Sequence, residues 1–146
     1  MEGYQRVNPQ MKNLREMIKR HEGVETHAYK CSQNKTTIGV GRNIDPDGGI
    51  GLSEAEIDYL LNNDINRCIG ELSGFVWFPD LNQERQNAII DMVFNLGITR
   101  FKGFKNAIDA MSKSDFETAA DEFYDSRWAK QVGNRAIEIC EMIRKG

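Results

Sequence analysis

In the stretch "HEGVETHAYKCSQNKTTIGVGR", residues 21–42, a glutamate closes an apolar helical stripe. Met11, Leu14, Ile18 and Glu22 follow one another three, four and four residues apart, which puts Glu22 on the apolar face of a helix over residues 9–22. Pro9 suits the first turn of that helix and Gly23 its stop. A carboxylate in that place has its charged form disfavoured twice, by desolvation and by the negative end of the helix dipole. Both effects favour a carboxyl that keeps its proton until a reacting oxygen needs it, which is the requirement for a general acid. A solvated terminal glutamate fits the same spacing, and periodicity alone leaves both readings open.

Two other chemistries can be weighed on the residues that follow. Cys31 with His21 or His27 raises a cysteine hydrolase, but that chemistry wants a thiol at a helix N-terminus beside an oriented histidine, and Cys31 ends a predicted strand. Asp45, Asp47, Ser53 and Glu56 fall at offsets one, three, nine and twelve of a calcium loop. The glycine required at offset six is Ile50, and no helix leads in. Neither a metal nor another cofactor is expected. Cys31, Cys68 and Cys140 form no CxxC pair and are odd in number, so free thiols in a reducing compartment are expected.

The elements that must position Glu22 and its neighbours change character along the chain. From Ala28 to Arg42, "AYKC" and "TTIGVGR" carry β-formers around the turn "SQNK", which predicts a hairpin, extended by a third short strand near Gly49 to Leu52. After the turn cluster "NIDPDGGIGL", Ser53 and Glu56 make the capping box of a helix running to about Gly74. Further helices are expected at 82–96, stopped by Gly97; at 103–112; at 115–124, opened by Ser114 with Glu117; and at 134–144, opened by Asn134. Strands confined to the first third predict an α+β protein. It reads as one domain over residues 1–146, with a small hairpin lobe at about 10–55, a linking helix at about 53–74 and a helical lobe at about 75–146. Trp128 and the aromatics of "FVWF", residues 75–78, read as core.

A chain of 146 residues can bury roughly two thirds of its unfolded surface. A net charge of −3 offers no general attraction to nucleic acid, which is bound by cations that displace counterions. No apolar run approaches the roughly 18 residues that span a bilayer, so no stable membrane insertion is expected. The beginning "MEGYQRVNPQMKNLREM" lacks the basic start and apolar middle of a secretory signal, which predicts a protein made in and retained by the cytoplasm.

Glu22, Cys31 and Thr37, set nine and six residues apart across helix, glycine and hairpin, resemble the catalytic triad of the phage-type lysozymes, the endolysins of glycoside hydrolase family 24. The segments "HEG", "AYK", "TIGVGR", "DMVFNLG", "GFKN" and "SRWAKQVGNRA" match that family in the same order, over roughly residues 10–145. The resemblance implies a lysozyme-like fold and hydrolysis of the β-1,4 bond between N-acetylmuramic acid and N-acetylglucosamine of bacterial peptidoglycan, in a cleft between the lobes. It implies Glu22 as the acid, with Thr37 holding a water on the opposite sugar face. In the family the middle position is Asp or Cys. Here Cys31 would position the water with Thr37, stabilise charge as a thiolate or form an adduct, and the first is preferred. By position, Arg42, Phe94 and Asn95 are expected to line the cleft and Arg135 to orient the Glu22 carboxylate. A lytic transglycosylase and a non-catalytic peptidoglycan-binding protein are the alternatives. The resemblance further implies a monomer in the host cytoplasm that reaches the wall through a holin.

Overall fold

A computed structural model describes residues 9–146, and residues 1–8 lie outside the description. The chain divides into two compact units, one ending at Leu60 and one spanning Leu61–Gly146. Strands occur in the first unit and most helices in the second, an α+β arrangement. Among the described residues no helix is long and apolar enough to cross a membrane.

The first unit begins with helix α1, Pro9–Glu22. It ends where the sequence places its stop: the Gly23 N–H donates to the Lys19 carbonyl at 2.8 Å. A three-stranded antiparallel sheet follows, in the order β1 (Glu25–Lys30), β2 (Thr36–Gly39), β3 (Arg42–Asn43). Tyr29 pairs with Thr37 and Lys30 with Thr36, while a register shift separates these pairs from Glu25 opposite Gly39. Between β2 and β3 the chain reverses over Gly39, Val40 and Gly41. Gly39 has φ +70° and Gly41 φ +69°, a backbone that residues with a Cβ rarely adopt.

That reversal corrects the expected third strand. The strand is Arg42–Asn43, and residues 49–52 form none, because the two glycines return the chain at once and Arg42 takes the place opposite Ile38. Ile50 still donates its N–H to the Asn43 carbonyl, at 3.0 Å, from irregular backbone that follows the turn at 46–48. Helix α2, Glu54–Leu72, opens with the expected capping box. The Ser53 hydroxyl accepts the Glu56 N–H at 3.2 Å, and Glu56 Oε1 accepts the Ser53 N–H at 2.8 Å.

The second unit holds a core of Leu72, Ile89, Met92, Phe101, Met111, Phe123 and Ile143, each almost fully buried. Its helices are α3 (Gln83–Leu96), α4 (Ile98–Phe101), α5 (Lys105–Ser112), α6 (Phe116–Tyr124), α7 (Arg127–Val132) and α8 (Asn134–Lys145). Helix α6 packs on both α5 and α8, and α3 packs on α8. Small side chains fill many of the buried helical positions: Ala88, Ala107, Ala110, Ala119, Ala120, Ala129 and Ala136. Phe101 stacks on Phe123 at 6.0 Å, Phe104 tilts against Phe123 at 5.4 Å, and Trp128 meets the edge of Phe104 at 6.4 Å, so Trp128 is core as expected. In "FVWF", Phe78 is buried and Phe75 and Trp77 pack against the core, whereas Val76 is exposed. Arg85 secures the end of α8, donating from Nε to the Ile143 carbonyl at 2.7 Å and from Nη2 to the Arg144 carbonyl at 3.0 Å.

Two helix starts differ from the expected ones: α5 begins on Lys105 and not at 103, where the chain still turns, and α6 begins on Phe116. Asp115, not Ser114, caps α6 by accepting the Thr118 N–H at 3.2 Å, since Ser114 has turned to φ +57°. Helix α8 begins on Asn134 after Gly133, with no side-chain cap.

Candidate active site

Four of the seven singled-out residues belong to the first unit. Glu22 is the last residue of α1, and its carboxylate lies over the Gly41 backbone. A Cβ on Gly41 would stand 2.7 Å from Oε2 and 3.1 Å from Cδ, so the absence of a side chain there is what admits the carboxylate. The desolvation expected from the apolar stripe is not provided by burial. Glu22 is exposed, as are Leu14 and Ile18 at 49% and 40%. The approach to Gly41, which the sequence does not announce, is instead what ties Glu22 to the hairpin.

Cys31 follows β1 and opens the turn to β2. Its N–H donates to the Lys35 carbonyl at 3.0 Å, and its carbonyl accepts the Asn34 N–H at 2.8 Å. The tight turn aims further backbone N–H groups at the sulfur. Those of Lys35 and then Gln33 hold the Cys31 thiol below its ordinary range, against a smaller opposing effect of desolvation. Thr37 sits on β2 with 4% of its surface exposed, and among the described residues it is the one buried polar side chain. Its hydroxyl donates to the Lys35 carbonyl at 2.8 Å. Cys31 and Thr37 therefore form one local group, built on the β1–β2 turn.

Asp45 steadies this group from the loop after β3. Its Oδ2 accepts the Thr36 N–H at 2.9 Å and its Oδ1 the Asp47 N–H at 2.9 Å, with Lys30 Nζ 3.8 Å away. The Thr36 and Asp47 amides, in that order, pull the Asp45 carboxyl down to about 2. The side chain thus continues the hydrogen-bonding edge of β2 past the end of the two-residue β3.

Arg42, expected to line a sugar cleft, is engaged by protein. Its Nη1 donates to Glu56 Oε1 at 2.9 Å and to the Gly51 carbonyl at 3.0 Å, and its Nη2 lies 2.9 Å from Glu56 Oε2. This two-pronged contact, then the Ser53 amide, brings the Glu56 carboxyl down to about 2.

The other three belong to the second unit. Arg135 on α8 pairs with Asp91 of α3, Nε to Oδ1 at 2.8 Å, with Nη2 3.4 Å from the Asp91 carbonyl. Asn95 accepts the Trp128 indole N–H at 3.0 Å. Phe94 is 45% exposed. Sequence reasoning missed Gly41 and Asp45 as parts of the site and saw only the capping half of Glu56. The signals were present in "GVGR" and in the acidic loop, but a glycine's use as a seat for another side chain leaves no periodic trace. Among the described residues no cluster of histidine, cysteine and carboxylate groups could hold a metal.

The geometry thus sets a carboxylate at the end of a helix beside a glycine turn, in a hairpin whose other end carries a thiol and a buried hydroxyl. The chain belongs to the phage lysozyme family, whose sequence model matches residues 19–143. It is 29% identical, over 130 residues, to an endolysin of Acyrthosiphon pisum secondary endosymbiont phage 1, covering 88% of this chain and 86% of that protein. An endolysin of Salmonella phage P22 is 31% identical over 111 residues, 73% of this chain and 75% of that protein. A probable T4-type lysozyme of Dictyostelium discoideum is 23% identical over 161 aligned positions, 92% of this chain and 95% of that protein.

Proposed function

We propose that this chain is an endolysin, a muramidase that hydrolyses the β-1,4 bond between N-acetylmuramic acid and N-acetylglucosamine in bacterial peptidoglycan, with Glu22 as general acid and Cys31 and Thr37 as the water-holding pair. The observation that carries the assignment of roles is that the Glu22 carboxylate rests on Gly41, in the same hairpin whose β1–β2 turn joins Cys31 to Thr37. Glu22 gives its proton to the departing glycosidic oxygen as the bond from C1 breaks, water adds to the oxocarbenium-like C1 and releases its second proton to solvent, and Glu22 takes a proton back from solvent for the next turnover. With its own proton on the Lys35 carbonyl, the Thr37 hydroxyl meets that water as a hydrogen-bond acceptor. The Cys31 sulfur, drawn toward the thiolate, is a second acceptor. Two acceptors take both hydrogens of the water and leave a lone pair for the sugar carbon.

Arg42, Phe94, Asn95 and Arg135 remain the proposed substrate-side residues, Arg42 and Arg135 in the orientations that Glu56 and Asp91 give them. The whole chain works as one lysozyme domain and as a monomer. It is made in the host cytoplasm and reaches the wall through a holin's lesion. Support for this last group of proposals comes from the likeness to phage endolysins.

Replacing Glu22 by Gln tests the central role. Glu22→Gln is expected to stop wall clearing while leaving the circular dichroism spectrum unchanged, and Cys31→Asp is expected to keep substantial activity. Reducing ends on the released muropeptides are the expected product. Clearing by Glu22→Gln at the wild-type rate, or anhydro ends, would overturn the assignment.

A further inference from the structure

Glu56 serves two structures with one carboxylate. Its Oε1 closes the capping box on the Ser53 N–H at 2.8 Å, and both of its oxygens hold the Arg42 guanidinium, at 2.9 Å each. Arg42 is the residue after Gly41, and Gly41 is the seat of the Glu22 carboxylate. The pair is about one third exposed on each side, 35% and 38%, and an ion pair so open to solvent adds little to global stability. What a two-pronged arginine–carboxylate contact does supply is a fixed orientation. A third donor contact, from Arg42 Nη1 to the Gly51 carbonyl at 3.0 Å, leaves the guanidinium little freedom to rotate.

We propose that Glu56 is a positioning residue for the acid: through Arg42 it holds the Gly39–Gly41 turn against the first turn of α2 and so sets where the Glu22 carboxylate stands. The connection runs from the Glu56 oxygens to the Arg42 side chain, along the backbone to Gly41, and on to the Glu22 carboxylate, which crowds the place a Cβ on Gly41 would take. Displacing the turn displaces the acid without removing it. The inference rests on Glu22 being the general acid.

The two jobs of Glu56 can be separated. Gln serves a capping box at this position but cannot form the charged two-pronged contact, so Glu56→Gln removes the clamp and keeps the cap. Ser53→Ala does the reverse. Arg42→Lys keeps the charge and loses the fork. Turnover of a soluble peptidoglycan oligosaccharide is measured for these three variants, the wild type and Glu22→Gln, at a temperature where circular dichroism shows each folded. Glu56→Gln and Arg42→Lys are expected to lower kcat about tenfold, short of the ~100-fold that a 1 Å misplacement costs, and Glu56→Gln to keep KM within about twofold of the wild type. Ser53→Ala is expected to lower the melting temperature and keep the wild-type kcat. Wild-type kcat in Glu56→Gln would overturn the proposal, as would an equal loss of kcat in Ser53→Ala, which would make the effect merely structural. A raised KM at unchanged kcat would overturn it, leaving Arg42 its substrate-side place alone. An inactive Glu22→Gln beside a fully active Glu56→Gln refutes the positioning role alone; an active Glu22→Gln removes the acid assignment as well.

Discussion

The two glycines of the β2–β3 turn provide an internal control for the placement of the acid. Gly39 and Gly41 share nearly the same backbone, φ +70° and +69°, so an alanine at either costs roughly 1–2 kcal/mol of conformational strain. Their surroundings differ. A Cβ at position 39 meets nothing within 4 Å, whereas one at position 41 meets Glu22 Oε2 at 2.7 Å. Ordinary contact begins near 3.4 Å, so the carboxylate must retreat by about 0.7 Å. Because Glu22 is exposed and the clashing atom ends a flexible side chain, that retreat is easy and adds little to the loss of stability. For the acid's task it is large, since a 1 Å misplacement of a reacting group costs on the order of 100-fold. Gly39→Ala and Gly41→Ala should therefore melt within a degree or two of each other, both a few degrees below the wild type at about 2–4 °C per kcal/mol. Only Gly41→Ala should lose turnover, by about 10- to 100-fold per folded molecule. Thermal melts followed by circular dichroism, paired with initial rates on soluble oligosaccharide, supply both quantities. Equal activity in the two variants at equal stability would refute the idea that Gly41 seats the acid.

The remaining predictions concern thiols and pH. Iodoacetamide near pH 7.5 should label Cys31 first, because backbone amides of the β1–β2 turn lower its thiol, whereas burial raises those of Cys68 and Cys140, the latter to about 11. Labelling should stop wall clearing by the wild type and spare Cys31→Asp; mass spectrometry showing Cys140 modified as fast as Cys31 would contradict this. Asp45 and Glu56, held near 2 in the folded chain against about 4 when unfolded, contribute stability that is fully present above about pH 4 and lost as pH falls toward 2. Asp45→Asn should be clearly less stable than the wild type at pH 6, with a shallower fall in melting temperature between pH 4 and 2, while Glu56→Gln, whose ion pair is open to solvent, should show both effects only weakly. Parallel acid profiles for variants and wild type would show that these carboxylates are not the groups responsible.

Much of this arrangement is legible in the sequence because side-chain pattern and backbone chemistry point the same way. Helix α1 ends on Glu22 since the apolar spacing runs out there and Gly23 stops it. Helix α2 starts on Glu54 since Ser53 and Glu56 satisfy each other's amides. Helices α4 and α7 leave no comparable trace. At four and six residues they are too short to show a period, and α7 forms because Ser126 accepts the Ala129 N–H and packing buries Trp128. The sequence places the third strand too late because turn residues and short strands resemble each other in composition; the left-handed glycines on either side of Val40 decide the point, and their φ values are a property of the folded chain. The site divides in the same way. Glu22, Cys31 and Thr37 are visible as types and spacings, while the seat at Gly41 and the clamp at Glu56 depend on what meets across the turn. The expected burial of Glu22 failed for a related reason: an apolar stripe shows which face a helix would cover, and Leu14 and Ile18 are left exposed.

The seven buried alanines of the second unit hold their positions from both directions. Their methyl groups sit at buried positions of α3, α5, α6, α7 and α8, where these helices pack on one another, so any added carbon has to force the helices apart, at about 1–3 kcal/mol. Going the other way leads only to glycine, which loosens a helix interior by about 1 kcal/mol. Ordinary core residues can trade volume with a neighbour, but a site already at the smallest helix-forming side chain has nothing to trade. The helical unit can therefore drift widely in its large residues and on its surface while these contact points stay put.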